Sequence, residues 1–143
     1  MSDDWDAARY DAEQSFVAEY GTALVDLLDP AAGATVLDLG CGTGDLTARL
    51  DQRVGEQGRA VGIDQSASML SRARECHEEP TFLRGDLRAL PVEGVDGALS
   101  NAALHWVPAT DQDGVLAAVA DALRPEGRFV AELGGTGNVA SVV

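Results

Sequence analysis

A cluster of glycines between an apolar run and an amphipathic run constrains the fold of this chain more than any other feature. Residues 35–40 read TVLDLG, a GxGxG pattern ends at Gly44, and apolar residues then recur every four positions as far as Val54. This order predicts a strand, a tight loop and a helix. Glycines in such a loop allow a tight turn and let a ligand reach backbone N–H groups, although they also occur as turn residues alone.

The rest of the sequence repeats the alternation of strand and helix. Further strands are predicted at 59–64, 81–84, 95–100 and 128–133. Helices are predicted before residue 30, from Ser66 or Ser68 to Cys76, and from Val115 to a stop at Pro125 and Gly127. This spacing is typical of an α/β fold, a doubly wound, Rossmann-like parallel sheet of about five strands with helices on both faces. We therefore expect one domain over residues 1–143, with an N-terminal helix within 1–30 and the core in 31–143.

The charge of the chain limits the classes of partner that it is expected to bind. The net charge is −14, and all 10 basic residues are arginines. So acidic a surface repels nucleic-acid phosphates and anionic lipids, which favours a small molecule as the partner. The absence of lysine, together with the excess of carboxylates, indicates adaptation to concentrated salt, because ions screen the self-repulsion of the folded state. A codon bias towards arginine with chance acidity is the alternative.

Neither export nor membrane insertion is predicted. The N-terminus is acidic where a signal peptide is basic and then apolar, and the uncharged stretch 97–110 is too short to span a bilayer. We therefore expect a cytoplasmic protein without a membrane partner. Cys41 and Cys76 have neither zinc-site spacing nor a secretory context, so no disulfide and no metal site are expected.

Two acids near the glycine loop indicate the charge of its ligand. A dinucleotide site has glycine or alanine at the position of Asp45, where the pyrophosphate rests on the helix N-terminus. A carboxylate there repels a pyrophosphate, and Asp38 just before the loop adds a second negative charge. Both acids suit S-adenosylmethionine, which carries an ammonium and a sulfonium group and no phosphate. An NAD-binding oxidoreductase is the disfavoured alternative.

Two further acids follow predicted strands. Asp64 ends the second strand, where an acid accepts hydrogen bonds from ribose hydroxyls in this architecture; otherwise it is a surface acid. Asp86 follows the third strand and is placed to accept a hydrogen bond from an adenine amino group, with Leu87 against the ring. The competing role for Asp86 is to cap a helix N-terminus. His77 lies among glutamates and is interpreted as a solvated surface residue.

Five segments together resemble the class I S-adenosylmethionine-dependent methyltransferases, and these are VLDLGCGTG (36–44), VGID (61–64), GDLRALP (85–91), SNAALHWV (100–107) and LRPEGRFVAELGG (123–135). The likeness is nearest to the small-molecule group that includes trans-aconitate methyltransferase. It implies S-adenosylmethionine as the cofactor and methyl transfer to a small metabolite, for instance a carboxylic acid. It also implies that the cofactor is bound by Tyr10, Asp38, Gly40, Cys41, Gly42, Gly44, Asp64, Gln65, Met69, Asp86, Leu87 and Asn101.

The resemblance ends early, because family members continue past the fifth strand with two more strands and a lid over the acceptor. We therefore expect strand five to be an unpaired edge, through which the chain self-associates. A cofactor-binding or dimerising fragment without catalysis is the alternative to an active enzyme. His105, beside Trp106 after the fourth strand, is the candidate base for a hydroxyl acceptor; otherwise both residues shape the pocket wall.

Overall fold

Strands and helices alternate along the chain as the sequence predicts. A computed structural model describes residues 22–101, 109–132 and 139–142. Its helices are α1 (22–28), α2 (Asp45–Val54), α3 (Ala67–Cys76) and α4 (Ala109–Ala122). Its strands are β1 (Thr35–Leu39), β2 (Arg59–Asp64), β3 (Thr81–Arg84), β4 (Val95–Asn101), β5 (Leu123–Glu132) and β6 (Val139–Val142).

The strands form one sheet in the order β3-β2-β1-β4-β5-β6. All pairs from β3 to β5 are parallel, and β6 is antiparallel to β5. The chain moves outward from β1 to β3 and then returns to β4 on the other side of β1. Strand order therefore reverses between β1 and β4, and in open α/β sheets ligands bind at the carboxyl ends of strands near such a reversal.

The core lies on both faces of the sheet because successive strand residues point to opposite sides. On one face, Val36 packs with Leu24 of α1 and Leu50 of α2. On the other face, Leu37 packs with Val115 of α4. Helices on both faces of a parallel sheet confirm the predicted doubly wound, Rossmann-like architecture.

Helix α1 ends at residue 28, as the sequence Asp29-Pro30 predicts. The guanidinium of Arg128 donates hydrogen bonds to the carbonyl oxygens of Leu28 and Leu27 at 3.1 and 3.0 Å. These are carbonyls that a helix end leaves without an intrahelical partner, so an arginine on β5 completes the end of α1.

The end of α4 differs from the prediction of a stop at Pro125 and Gly127. The helix ends at Ala122 and β5 begins directly at Leu123. The pairing of β5 with β4 shifts register between Val95 and Gly97, which places the turn around Pro125 inside the strand as an irregularity. Proline disfavours helical backbone at the residue before it, Arg124, and the pairing of Leu123 with Val95 of β4 ends the helix before that residue.

The expectation that β5 is an unpaired edge is wrong. Strand β6 covers it in antiparallel register, from Phe129 opposite Val142 to Glu132 opposite Val139. The segment VASV contains the β-branched residues that favour strands, and it closes the edge that was expected to mediate self-association. In the described ranges, no helix is both long and apolar enough to cross a membrane.

Candidate functional site

The glycine loop lies between β1 and α2, at the carboxyl edge of the sheet. Gly40, Gly42 and Gly44 have φ values of +72°, +56° and +84°, a region that side chains other than glycine rarely adopt. A Cβ on Gly44 would lie 2.6 Å from Cζ of Phe82, so close packing also requires glycine there. A Cβ on Gly42 would meet no atom within 4 Å. The loop therefore packs inward at Gly44 and leaves room for a ligand at Gly42.

The loop is tied to the end of β2 by hydrogen bonds. The backbone N–H of Gly42 donates to Oδ2 of Asp64 at 2.9 Å, and the N–H of Ser66 donates to Oδ1 of the same carboxylate at 2.8 Å. Each carboxylate oxygen has two lone pairs, so Asp64 retains acceptor capacity on both oxygens. This acceptor capacity suits ribose hydroxyl donors, and the half-buried Asp64 is hydrogen-bonded to the loop; its contact with the ribose stays a prediction.

Asp38, the fourth residue of β1, is a buried carboxylate beneath the loop. Only 2% of the residue is exposed, and Oδ2 accepts a hydrogen bond from the hydroxyl of Thr47 at 2.7 Å. Burial raises the pKa of Asp38 to about 6, against a smaller lowering by the Thr47 hydrogen bond, and the charge of Asp64 raises it further. The carboxyl is therefore mostly ionised at pH 7 and supplies a desolvated negative charge under the loop.

Cys41 does not fit a cofactor contact through its side chain. Its sulfur packs against the cluster of Leu70, Ala73 and Phe82. Burial is the main cause that raises the pKa of the thiol far above its usual range, and the charges of Asp38 and Asp64 add to it. Cys41 is thus a small apolar residue that packs α3 against the loop. Only its backbone remains a candidate for the predicted contact with the cofactor.

The start of α3 carries the next two predicted residues. Ser66 is the N-cap, since its hydroxyl accepts a hydrogen bond from the N–H of Met69 at 3.2 Å, which resolves the choice between Ser66 and Ser68. Gln65 is exposed, and its carbonyl oxygen accepts a hydrogen bond from Arg84. Met69 is 39% exposed although it is apolar. An exposed thioether side chain near the end of β2 suits contact with a flat ring.

Asp86 follows β3 but does not cap a helix. It opens a turn, in which the N–H of Ala89 donates to the Asp86 carbonyl oxygen at 3.0 Å, and its carboxylate is bonded to Arg88. Leu87 is 5% exposed and belongs to the core, which leaves little of its side chain for an adenine ring. The helix-capping alternative for Asp86 is therefore wrong, because no helix begins there, and the contact of Leu87 with an adenine ring stays a prediction.

Asn101 ends β4, opposite Glu132 of β5, at the same edge as the loop. The residue before it, Ser100, has a fully buried hydroxyl with no hydrogen-bond partner within the described part of the chain. Tyr10 and His105 lie outside the described residues. Across residues 22–101, 109–132 and 139–142, no cluster of histidine, cysteine and acidic side chains could hold a metal ion.

His77 is not the solvated residue that its sequence context suggests. Its Nε2 lies 2.9 Å from Oδ1 of Asp45, the first residue of α2, and only 22% of its side chain is exposed. His77 follows α3 directly, so this contact joins the end of α3 to the residue after Gly44. Sequence reasoning missed it because the partners are 32 positions apart. Thr47 and Arg88 were missed as well: Thr47 lies nine positions from Asp38, and the contact of Arg88 with Asp86 depends on the conformation of the turn that they share.

An open cleft at the opposite edge of the sheet is separate from this site. It is lined by the segment before β1 and by residues of β4 and β5, including Pro30 and Glu126. Its arginines are already bonded: Arg124 to Asp96 at 2.6 Å, and Arg128 to α1. The cleft contributes none of the residues at the carboxyl edge, and we do not assign it to the cofactor.

A parallel sheet in the order 3-2-1-4-5, with a glycine loop after β1 and an acid after β2, is typical of Rossmann-like proteins that bind a cofactor containing ribose. The chain belongs to the methyltransferase domain family, which matches residues 36–127, and within it to the class I S-adenosylmethionine-dependent methyltransferases. S-adenosylmethionine is the cofactor of that family.

Individual relatives agree with this assignment. The chain is 39% identical to an uncharacterized methyltransferase of Schizosaccharomyces pombe, over 99% of the chain and 55% of that protein. It is 39% identical to a trans-aconitate 2-methyltransferase of Azoarcus sp., over 86% of the chain and 48% of that enzyme. The crystal structure of an S-adenosylmethionine-dependent methyltransferase from Mesorhizobium loti superposes with a TM-score of 0.66 at 33% identity, over 77% of this chain and 51% of that one. The chain thus spans about half the length of the curated relatives it matches.

Proposed function

We propose that this protein binds S-adenosylmethionine at the carboxyl edge of β1, β2, β3 and β4 and transfers its methyl group to a small carboxylic acid. The observation that carries the proposal is the junction of the glycine loop with Asp64, where a loop that is open at Gly42 meets a carboxylate with free acceptor capacity. The Azoarcus relative, whose name specifies trans-aconitate, supports a carboxylic acid as the acceptor.

The residues at this edge suit the parts of the cofactor in order along the sheet. Asp38 supplies a buried negative charge for the cationic methionine end, and Asp64 supplies acceptors for the ribose hydroxyls. Met69 offers an exposed apolar side chain for the adenine ring, and Asp86 offers an acceptor for its amino group. Asn101 completes the edge after β4.

S-adenosylmethionine supplies an already activated methyl group, so the protein contributes mainly orientation and exclusion of water. A carboxylate acceptor is ionised at neutral pH and needs no base. On this proposal His105 shapes the acceptor pocket and is not required for proton transfer; a hydroxyl acceptor would instead make it the base.

A transfer assay with tritiated methyl groups, over a panel of small carboxylic acids that includes trans-aconitate and a matched panel of alcohols, tests the proposal. We expect label in at least one acid, none in the alcohols, strong loss of transfer in Asp64→Ala and retained transfer in His105→Ala. Binding of S-adenosylhomocysteine without transfer to any acceptor would contradict the enzymatic proposal and favour a cofactor-binding protein.

A further inference from the structure

The carboxylate of Asp86 is held almost entirely by one residue, Arg88. The backbone N–H of Arg88 donates to Oδ1 at 2.8 Å, its Nε donates to the same oxygen at 3.0 Å, and a terminal guanidinium nitrogen donates to Oδ2 at 2.8 Å. The two side-chain bonds form the planar fork that arginine makes with a carboxylate. Asp86 is therefore fixed in one orientation by a side chain two positions further on.

The count of lone pairs shows what this carboxylate can still accept. Each oxygen has two lone pairs. Oδ1 accepts two hydrogen bonds from Arg88 and is filled, whereas Oδ2 accepts one and has one lone pair left. The side chain of Asp86 is 40% exposed, so a ligand can reach this remaining position.

Asp86 is ionised at pH 7 even with its ordinary pKa of 3.8, and Arg88 extends this state to lower pH. Its side-chain hydrogen bonds, followed by the backbone hydrogen bond, lower the pKa of Asp86 to about 2. An ionised carboxylate accepts hydrogen bonds and donates none. The position left on Oδ2 therefore suits only a ligand group that carries a hydrogen.

We propose that Arg88 is a positioning residue that sets the base specificity of the cofactor site: it aims the remaining lone pair of Asp86 Oδ2 at an exocyclic amino group and so selects an adenosyl over an inosyl ligand. The inference rests on the proposed placement of adenine beside Asp86. Adenine presents an amino donor at its six position, and hypoxanthine presents a carbonyl oxygen there. Against the fixed carboxylate, that oxygen would leave two acceptors facing each other without a proton.

Calorimetric titration at pH 7.5 with S-adenosylhomocysteine and S-inosylhomocysteine tests the proposal without any turnover. The wild-type protein should prefer the adenosyl ligand by roughly tenfold or more, the range of a hydrogen bond to a charged group. Arg88→Gln should reduce this ratio several-fold, chiefly by weakening the adenosyl ligand. Arg88→Lys should lie between the two, because an ammonium group is a point donor that cannot form the fork.

Two further variants separate the possible causes. Arg53→Gln removes an exposed arginine of α2 that pairs with Asp26 of α1 and with Asp29, and it should leave the ratio unchanged. Asp86→Asn should itself lower the preference, because its amide can donate to the inosyl carbonyl as well as accept. Thermal melts establish that each variant is folded, which the 51% exposure of the Arg88 side chain favours.

The outcomes distinguish this inference from the proposed function. If Asp86→Asn lowers the ratio and Arg88→Gln does not, the inference is wrong while the placement of adenine stands. Tighter binding of the adenosyl ligand by Arg88→Gln would also overturn it, because Arg88 would then compete with the cofactor for Asp86. If Asp86→Asn leaves the ratio unchanged, or the wild type does not bind S-adenosylhomocysteine, the proposed placement fails and the inference fails with it.

Discussion

Replacing Asp38 with asparagine should stabilise the free protein above neutral pH while weakening its affinity for the cofactor. Burial raises the pKa of this carboxyl from 3.8 to about 6. The difference corresponds to roughly 3 kcal/mol by which the folded state disfavours the charged form. Because the pKa is raised, the stability contributed by the protonated carboxyl is fully present below pH 3.8 and is lost as the pH rises through about 6. Asparagine has no charge to bury at any pH.

The expected effect can be measured over a range in which the acidic chain keeps its solubility. Between pH 5 and pH 8, the wild type should lose roughly 1 kcal/mol of unfolding free energy relative to the variant. The absolute gain of the variant at pH 8 should be about 1–2 kcal/mol, because the hydrogen bond from Thr47 is kept and the buried amide N–H groups cost part of the 3 kcal/mol. Urea unfolding at each pH gives both values.

The exposed acid Asp121 offers a matched control, since Asp121→Asn removes one negative charge from the surface of α4. Its unfolding free energy should keep a constant difference from the wild type between pH 5 and pH 8. The affinity of the wild type for S-adenosylhomocysteine should rise over the same range as Asp38 ionises, and that of Asp38→Asn should be lower and independent of pH. If the difference in stability between Asp38→Asn and the wild type does not change with pH, Asp38 is not a buried carboxyl with a raised pKa.

Three further predictions concern other parts of the chain. Iodoacetamide at pH 8 should modify the exposed Cys76 at least tenfold faster than Cys41, whose thiol stays protonated because burial raises its pKa; mass spectrometry of peptides measures both, and equal rates would contradict the packing of the loop. His77→Ala should lower the unfolding free energy by about 0.5–1 kcal/mol and weaken the binding of S-adenosylhomocysteine two- to threefold, because it removes the contact between the end of α3 and Asp45 beside the glycine loop; unchanged affinity in calorimetry would limit the contact to a structural role. The melting temperature should rise when the salt concentration is raised from 0.1 to 1 M, because the Debye length falls from about 10 to about 3 Å and the repulsion within a chain of net charge −14 is screened. A melting temperature that stays constant or falls would reject adaptation to salt.

Most of the sheet could be predicted from the sequence because its signals are local. The buried run RAVGID matches β2 residue for residue, and the glycine pattern after TVLDL locates the loop. The end of α4 and the edge of β5 could not be predicted in the same way. A strand that begins before Pro125 depends on its pairing with β4, and β6 depends on a partner that lies several residues away.

In the candidate site too, the sequence predicted the residues that have local signals and missed their partners. Strand ends and glycines revealed Asp38, Asp64 and Asp86, since each acid lies in or directly after a strand. The partners that set the properties of these acids come from the packed structure: Thr47 from the next helix, and Arg88 from the conformation of a turn. A sequence shows which residues carry charge, but the direction in which a carboxylate points and its pKa follow from neighbours that only the fold brings together.

Calorimetric titration of the protein with S-adenosylhomocysteine and with NAD shows whether the carboxyl edge of the sheet binds S-adenosylmethionine or a dinucleotide. We predict micromolar binding of S-adenosylhomocysteine, no detectable binding of NAD, and a loss of about 1.5–3 kcal/mol of binding free energy in Asp64→Ala. Equal or tighter binding of NAD, or an Asp64→Ala variant that is folded and binds S-adenosylhomocysteine as the wild type does, would contradict a site for S-adenosylmethionine at this edge.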